Sequence, residues 1–198
     1  DSLCLDNVSA LARKAALIGS RVEIDMEASE YVDRTLAIVE KLHASFACVR
    51  CVLQAYLYRT LDDLHRMNAL GIPVRLCKGA YNEPASIAFP EKARVDENYA
   101  ALSRLLLDRG AYPAFATHDP RMIAAVRDHA TGAGRAPGDF EFQMLYGIRR
   151  DLQQQLAAGG FRVRLYVPYG DAWYPYFMRR LAERPANVFF IARNLLRA

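Results

Sequence analysis

Two hydrophobic periods alternate along this chain of 198 residues, and that alternation constrains the fold more than any other feature. Short runs rich in β-branched and aromatic residues are each followed by a longer stretch with helical spacing of apolar side chains. The predicted strands span residues 21–26, 51–56, 73–77, 113–117, 140–144 and 162–167. The predicted helices span residues 7–18, 29–43, 61–69, 91–108, 120–129, 147–158, 173–183 and 185–196. A repeated strand–helix order predicts an α/β protein with a parallel sheet.

Several helix boundaries carry their own local signals. Asp119 precedes Pro120, which places a side-chain cap before a proline at the first helical position. Gly110 and the Gly159-Gly160 pair follow two of the predicted helices and are typical of helix ends. These signals support the division of the chain into alternating strands and helices.

Two parallel architectures fit this pattern, and the sequence favours a barrel. A doubly wound open sheet usually has a glycine-rich phosphate-binding turn after its first strand, and no G-x-G-x-x-G follows any predicted strand. Polar residues instead gather at the carboxyl ends of all six strands, where (β/α)8 barrels carry their functional groups. We therefore expect a distorted (β/α)8, TIM-barrel-like fold of which this chain provides six of the eight strands.

Composition excludes several classes of protein. Lys and Arg number 26 against 22 Asp and Glu, which gives a formal net charge of +4, and the basic residues are scattered. We therefore expect no nucleic-acid partner. Charged residues interrupt every apolar stretch, so no segment reaches the roughly 18 apolar residues of a membrane span. The chain begins without a signal-like segment, and we expect a cytoplasmic protein.

The cysteines do not indicate a metal or redox site. Four cysteines are too few for a disulfide framework, and the Cys48-x-x-Cys51 pair lacks the second pair of ligands that structural zinc needs. A redox dithiol would open a helix, whereas Cys51 begins a predicted strand. We therefore predict no metal site.

Seven segments together resemble the proline dehydrogenase family, in the family's order and over nearly the whole chain. They are EIDMEAS at 23–29, VLQAY at 52–56, PVRLCKGAY at 73–81, FATHD at 115–119, EFQMLYG at 141–147, RLYVPYG at 164–170 and YFMRRLAERPANV at 176–188. The likeness is to the simpler, monofunctional bacterial enzymes. It implies a barrel that binds FAD and oxidises L-proline to Δ1-pyrroline-5-carboxylate, the first step of proline catabolism, with a quinone as electron acceptor.

The resemblance assigns residues to the substrate. Arg179 and Arg180 are implied to grip the proline carboxylate, a task for which the planar guanidinium fork is well suited. Tyr166 and Leu145 are implied to contact the proline ring. Spacing alone would more often make an Arg-Arg pair a solvated helix face, and would make Leu145 and Tyr166 ordinary core and strand residues. The substrate assignments therefore depend on the family match.

The resemblance also assigns catalytic and cofactor-binding residues. Asp25 is implied to hold a cationic side chain in the active site, and Arg75 to lie near the isoalloxazine ring, where positive charge favours hydride acceptance. Gly79 would let the backbone approach a phosphate. The residues implied to bind the flavin, besides Arg75, are Met26, Gln54, Lys78, Gly79, Ala80, Thr117 and His118.

One departure from the family keeps alternatives open. In the family, two strands precede the EIDMEAS segment, and the second bears a lysine beside the proline carboxylate. We expect residues 1–198 to form a single barrel domain that lacks both strands. A catalytically impaired fragment or interaction module is therefore one alternative, and another flavin barrel such as a methylenetetrahydrofolate reductase is the second. A quinone acceptor would imply a peripheral membrane contact, and the sequence leaves the oligomeric state open.

Overall fold

A computed structural model describes residues 2–171 and Tyr174, and its centre is one parallel sheet. Strands that are consecutive in the chain are neighbours in the sheet, so the order across the sheet is the order of the sequence. The six strands are β1 (Val22–Ile24), β2 (Val49–Gln54), β3 (Val74–Cys77), β4 (Ala114–Ala116), β5 (Glu141–Leu145) and β6 (Arg162–Tyr166).

Helices precede and connect the strands. They are α1 (Ser2–Leu17), α2 (Val32–Ser45), α3 (Thr60–Ala69), α4 (Lys92–Arg109), α5 (Pro120–Gly132) and α6 (Arg150–Ala158). Apolar side chains such as Leu36, Leu106 and Val126 pack with Leu76 and Phe142 of the sheet in one buried core. Each such side chain contributes roughly 1.5–3 kcal/mol by leaving water, so this helix-covered face holds the fold together.

The opposite face of the sheet is concave and polar. Glu23 on β1 and Gln143 on β5 are separated by three strands, which would place them on the order of 19 Å apart in a flat sheet. The Glu23 Oε1 and Gln143 Nε2 atoms nevertheless lie 2.7 Å apart. Two side chains cannot span the flat distance, so the sheet curls as part of a barrel wall. The predicted α/β, TIM-barrel-like class with six parallel strands is confirmed.

Some boundaries differ from the predicted ones for local reasons. Strand β2 begins at Val49, two residues before the predicted start, because Arg50 is buried in an ion pair on the concave face and belongs to the ladder. Helix α6 begins at Arg150 rather than 147, since Arg149 has a left-handed backbone with φ 53°. Residues 29–31 form a short 3-10 turn before α2, and α1 begins at Ser2 instead of residue 7.

Other boundary signals have the predicted roles. Asp119 caps α5 by accepting a hydrogen bond from the Arg121 N–H at 3.0 Å, and α4 and α6 end at Gly110 and Gly159. The predicted helices at 173–183 and 185–196 lie outside the described residues. Within the described part of the chain, no helix is long and apolar enough to cross a membrane.

Candidate active site

Among the described residues assigned from sequence to the cofactor and substrate, all but Arg75 follow or end a strand. Parallel strands bring their carboxyl ends to one edge, where Asp25 and Gln54 lie, and the Arg75 side chain reaches Asp25 from the second position of β3. Asp25 Oδ1 accepts a hydrogen bond from Arg75 Nη2. Asp25 thus pairs with a cationic side chain, and its role in catalysis stays a prediction. The Asp25 carboxylate therefore holds the Arg75 guanidinium in place at the mouth of the barrel.

Gln54 and Met26 form a second, buried pair beside this cation. The Gln54 side chain donates through Nε2 to the Met26 carbonyl at 3.5 Å, and both residues are nearly inaccessible to solvent. The Gln54 Oε1 atom is buried without a hydrogen-bond partner, and so is Arg75 Nε. Because buried polar atoms are rarely left unsatisfied, one acceptor and one donor at this edge remain available to a ligand.

Lys78 is committed to carboxylates of the protein itself. Its Nζ lies 2.8 Å from Asp119 Oδ2 and also contacts Asp96, so it ties the end of β3 to the helices α4 and α5. Burial raises the pKa of Asp119, but hydrogen bonds from Lys78 and Arg121 outweigh this effect and hold it at about 2. Lys92 and Arg121 complete the cluster, which has three cations and two anions. A phosphate would meet a net charge of +1 here rather than a free lysine.

Gly79 and Ala80 lie between this cluster and a cavity. Gly79 has φ +107°, and a Cβ at this position would overlap the Tyr56 ring, so the glycine is needed for close approach of the backbone to that ring. The cavity has a volume of about 380 Å³ and is lined in part by Tyr56, Lys78, Ala80, Tyr81 and Lys92. The Tyr56 ring gives one structural reason for a glycine at this position, and the assignment of Gly79 to a phosphate stays a prediction.

Thr117 and His118 follow β4 at the same edge. Thr117 is buried, and its Oγ1 accepts a hydrogen bond from the Asp119 N–H at 3.1 Å. His118 Nε2 lies 2.9 Å from the Leu145 backbone nitrogen. Burial, with a smaller contribution from the positive charge of Arg149, lowers the pKa of His118 to about 4. His118 is therefore a neutral imidazole near pH 7.

Leu145 and Tyr166 are register partners at the ends of β5 and β6. They are 38% and 40% exposed, respectively, so both have surface available to a ligand of the concave face. Arg179 and Arg180 lie outside the described residues, and their assignment to the substrate carboxylate stays a prediction.

The structure adds a charged network that the sequence analysis did not assign. Glu141 is 2% exposed, and both its oxygens accept hydrogen bonds from Arg164, at 2.7 and 2.9 Å. Arg50 is equally buried, and its Nη1 lies 3.4 Å from Glu141 Oε1 and 3.5 Å from Glu23 Oε1. Burial raises the pKa of Glu141, but Arg164, Gln143 and Arg50 outweigh it and the net shift is downward. In the sequence, polar residues at every second position of β1, β5 and β6 could have indicated this network.

The donor set fits an extended polar cofactor better than a metal ion. Among the described side chains, no group of three or more His, Cys, Asp or Glu could hold a metal. Two of the buried atoms without a hydrogen-bond partner are instead an amide oxygen on Gln54 and a guanidinium N–H on Arg75, and Met26 is buried nearby. Such groups suit a planar heterocycle that carries hydrogen-bond donors and acceptors. Gln54, Arg75 and Met26, which the sequence assigned to a flavin, therefore fit that group.

The fold and the site together define an α/β, TIM-barrel-like protein with its candidate site at the carboxyl ends of the strands. The model of the family described as proline dehydrogenase matches residues 2–193. The chain belongs to the proline dehydrogenase family.

Similar proteins agree with this family. The chain is 46% identical over 199 residues to "Proline dehydrogenase" of Deinococcus radiodurans, a match that covers 100% of this chain and 64% of the relative. It is 42% identical over 197 residues to "Proline dehydrogenase 1" of Bacillus subtilis, covering 100% of this chain and 65% of the relative. The chain thus spans just under two thirds of the length of these relatives.

Solved structures give the same fold. A mutant of proline utilization A (PutA) from Bradyrhizobium japonicum superposes with a TM-score of 0.82 at 28% identity, over 96% of this chain and 22% of that chain. PutA from Bdellovibrio bacteriovorus, in a structure inactivated by N-propargylglycine, superposes with a TM-score of 0.80 at 28% identity. That match covers 86% of this chain and 20% of the other.

Proposed function

We propose that this protein oxidises L-proline to Δ1-pyrroline-5-carboxylate, with FAD as its prosthetic group, in the first step of proline catabolism. Support comes first from family membership over residues 2–193. The structural observation that carries the proposal is Arg75, which Asp25 anchors at the strand ends and whose Nε is buried without a partner. A positive donor held in this way is the group that a flavin ring needs beside it.

Binding of the cofactor would use residues from four strand ends. Arg75 and Gln54 offer the unsatisfied donor and acceptor, while Met26 supplies an apolar wall. Thr117 and His118 lie after the next strand along the sheet, and Lys78, Gly79 and Ala80 follow β3 beside the cavity. When bound, FAD supplies an electron-pair acceptor at N5 for the hydride that leaves proline C5.

Binding of proline would use the opposite side of the mouth. The neighbouring side chains of Leu145 and Tyr166 offer an apolar surface and a phenol ring on the concave face. Arg179 and Arg180 would hold the carboxylate, which fixes the ring in one orientation. Oxidation breaks the C5–H bond and removes the amine proton, leaving a C5=N bond. The contribution of these residues to the rate is orientation, because the transfer requires near contact and alignment.

The electrons leave the protein in a second half-reaction. We include a quinone as the acceptor, with a peripheral membrane contact, because the family resemblance implies both. This part of the proposal is independent of the oxidation of proline.

The flavin spectrum of the purified protein tests the oxidation directly. We expect visible flavin absorbance, retained on purification or restored by added FAD, that L-proline bleaches in the absence of oxygen. NADH should leave it unchanged, which separates this reaction from that of a reductase. A protein that binds no FAD, or whose bound flavin is not bleached by proline, would contradict the proposal.

Substitution of the arginine pair tests the substrate assignment. Arg180→Met should raise KM for proline at least tenfold and leave the affinity for FAD within a factor of two, since a bidentate carboxylate contact contributes on the order of 1.5–3 kcal/mol. Arg104→Met is a matched control, because Arg104 is exposed on α4. An unaltered KM in Arg180→Met would remove the carboxylate assignment.

A further inference from the structure

Glu23 lies at the centre of the charged network on the concave face. Its side chain is 18% exposed, and Oε1 accepts the 2.7 Å hydrogen bond from Gln143 Nε2. The Arg50 and Arg75 guanidinium groups flank it, at 3.5 Å from Oε1 and Oε2 respectively. One carboxylate on β1 therefore interacts with side chains of β2, β3 and β5.

Gln143 fixes the position of this carboxylate. Its Nε2 also donates to Glu141 Oε1 at 2.8 Å, so both of its N–H groups are used, one on each carboxylate. Glu141 is in turn held by Arg164 and Arg50 in the buried part of the barrel. A chain of contacts thus runs from the buried interior, through Gln143, to Glu23.

The Arg75 guanidinium is held at both of its terminal nitrogens. Nη1 lies 3.5 Å from Glu23, and Nη2 donates to Asp25, while Nε is buried and unpartnered. Because the guanidinium is rigid and planar, two fixed partners determine its plane and the direction of the remaining Nε–H. Asp25 is half exposed, whereas Glu23 is attached to the buried network.

We propose that Glu23 is a positioning residue: it fixes the plane of Arg75 and partly offsets the positive charge that Arg75 presents to the bound flavin. This inference rests on the proposed function. Removal of the Glu23 charge makes the surroundings of the flavin more positive, and reduction, which adds negative charge, becomes more favourable. The midpoint potential of the bound flavin then rises.

Three variants of the FAD-loaded protein test this role through flavin affinity and midpoint potential. Glu23→Gln keeps the shape and removes the charge. We expect its affinity for oxidised FAD to stay within about threefold of the wild type. Its affinity for reduced FAD, relative to that for oxidised FAD, should rise roughly tenfold, because removal of one negative charge about 10 Å from the flavin, at an effective dielectric constant of about 20, has an effect of this size. Glu23→Asp keeps the charge but shortens the reach. We expect a potential near that of the wild type and FAD binding weakened severalfold.

Glu40→Gln is the matched control, because Glu40 pairs with Arg66 between the outer helices α2 and α3. It should leave both quantities unchanged. If the flavin midpoint potential of Glu23→Gln equals that of the wild type and of Glu40→Gln, Glu23 does not offset the charge of Arg75. If Glu23→Asp binds FAD as tightly as the wild type does, Glu23 does not fix the plane of Arg75. Failure of the proposed function would instead appear in the wild type, as absent FAD binding or absent bleaching by proline.

Discussion

The backbone N–H of Leu145 donates a hydrogen bond of 2.9 Å to Nε2 of His118. An accepting Nε2 places the proton of the neutral ring on Nδ1, so this contact selects one tautomer. It also joins the end of β4 to the end of β5, where Leu145 is proposed to contact the substrate. Protonation of His118 would place an N–H on Nε2, opposite the N–H of Leu145. The hydrogen bond would then be lost, and two donors would face each other.

Protonation of His118 should therefore destabilise the fold in mild acid. The folded pKa of about 4 lies below the ordinary value of 6.5, so the unfolded chain binds the proton first and stability is lost as pH falls through this window. Between pH 7 and about 4.5, the free energy of unfolding should fall by on the order of 2 kcal/mol more in the wild type than in His118→Gln. Glutamine can still accept the hydrogen bond from Leu145 but does not titrate.

Urea denaturation at several pH values measures this difference. His65→Gln is the control, because His65 is exposed on α3, and it should follow the wild type. If the free energy of unfolding had the same pH dependence in the wild type and His118→Gln, the pKa of His118 would not differ between the folded and unfolded states.

Gly79→Ala should be much more destabilising than the same change at Gly71. Both glycines have positive φ, at +107° and +67°, but an added Cβ meets the Tyr56 ring at Gly79 and nothing within 4 Å at Gly71. We expect a loss of about 1 kcal/mol at Gly71 from backbone strain and at least about 3 kcal/mol at Gly79, where overpacking is added. Denaturant unfolding of both variants checks this, and equal losses would refute the role given to Tyr56.

Lys78→Met should remove the least exposed of the three cations that Asp96 and Asp119 share. Asp119 stabilises the fold above its ordinary pKa of 3.8, and this contribution is lost as pH falls through about 2. Without Lys78 the pKa of Asp119 should rise, and the free energy of unfolding at neutral pH should fall by about 1–3 kcal/mol. Carboxyl titration by NMR and urea denaturation measure the two effects.

Lys92→Met is the matched control for Lys78→Met. Lys92 contacts the same carboxylates, but its side chain is 66% exposed against 20% for Lys78, so its loss should cost at most about 1 kcal/mol. If the two lysine variants lost equal stability, the buried position of Lys78 would have no energetic consequence.

The order of elements could be predicted from the sequence because its signals are local. The spacing of apolar residues that indicates a strand such as β4 or a helix such as α5 lies within a few residues of sequence. The cap of a helix is equally local, as with Asp119 before Pro120. The strand-end location of Asp25 and Gln54 followed from the same pattern, because parallel strands end at one edge, whereas Arg75 lies at the second position of β3.

The contacts across the barrel could not be predicted in this way. Glu23 and Gln143 are 120 residues apart, and their hydrogen bond exists only because the sheet curls. The two acidic partners of Lys78 depend on how α4 and α5 pack, so these ion pairs could not be predicted from the sequence. The close approach of the Tyr56 ring to Gly79 likewise depends on the folded loop after β3.

The strand order has a consequence for how the polypeptide is made. Every strand adds beside its immediate predecessor, so a ribosome-bound nascent chain can extend the sheet stepwise, without waiting for a distant partner. The bond between Glu23 and Gln143 is different, since it needs β5 and therefore forms late in synthesis. The side-chain contact across the concave face would thus be made only after the first four strands have left the ribosome.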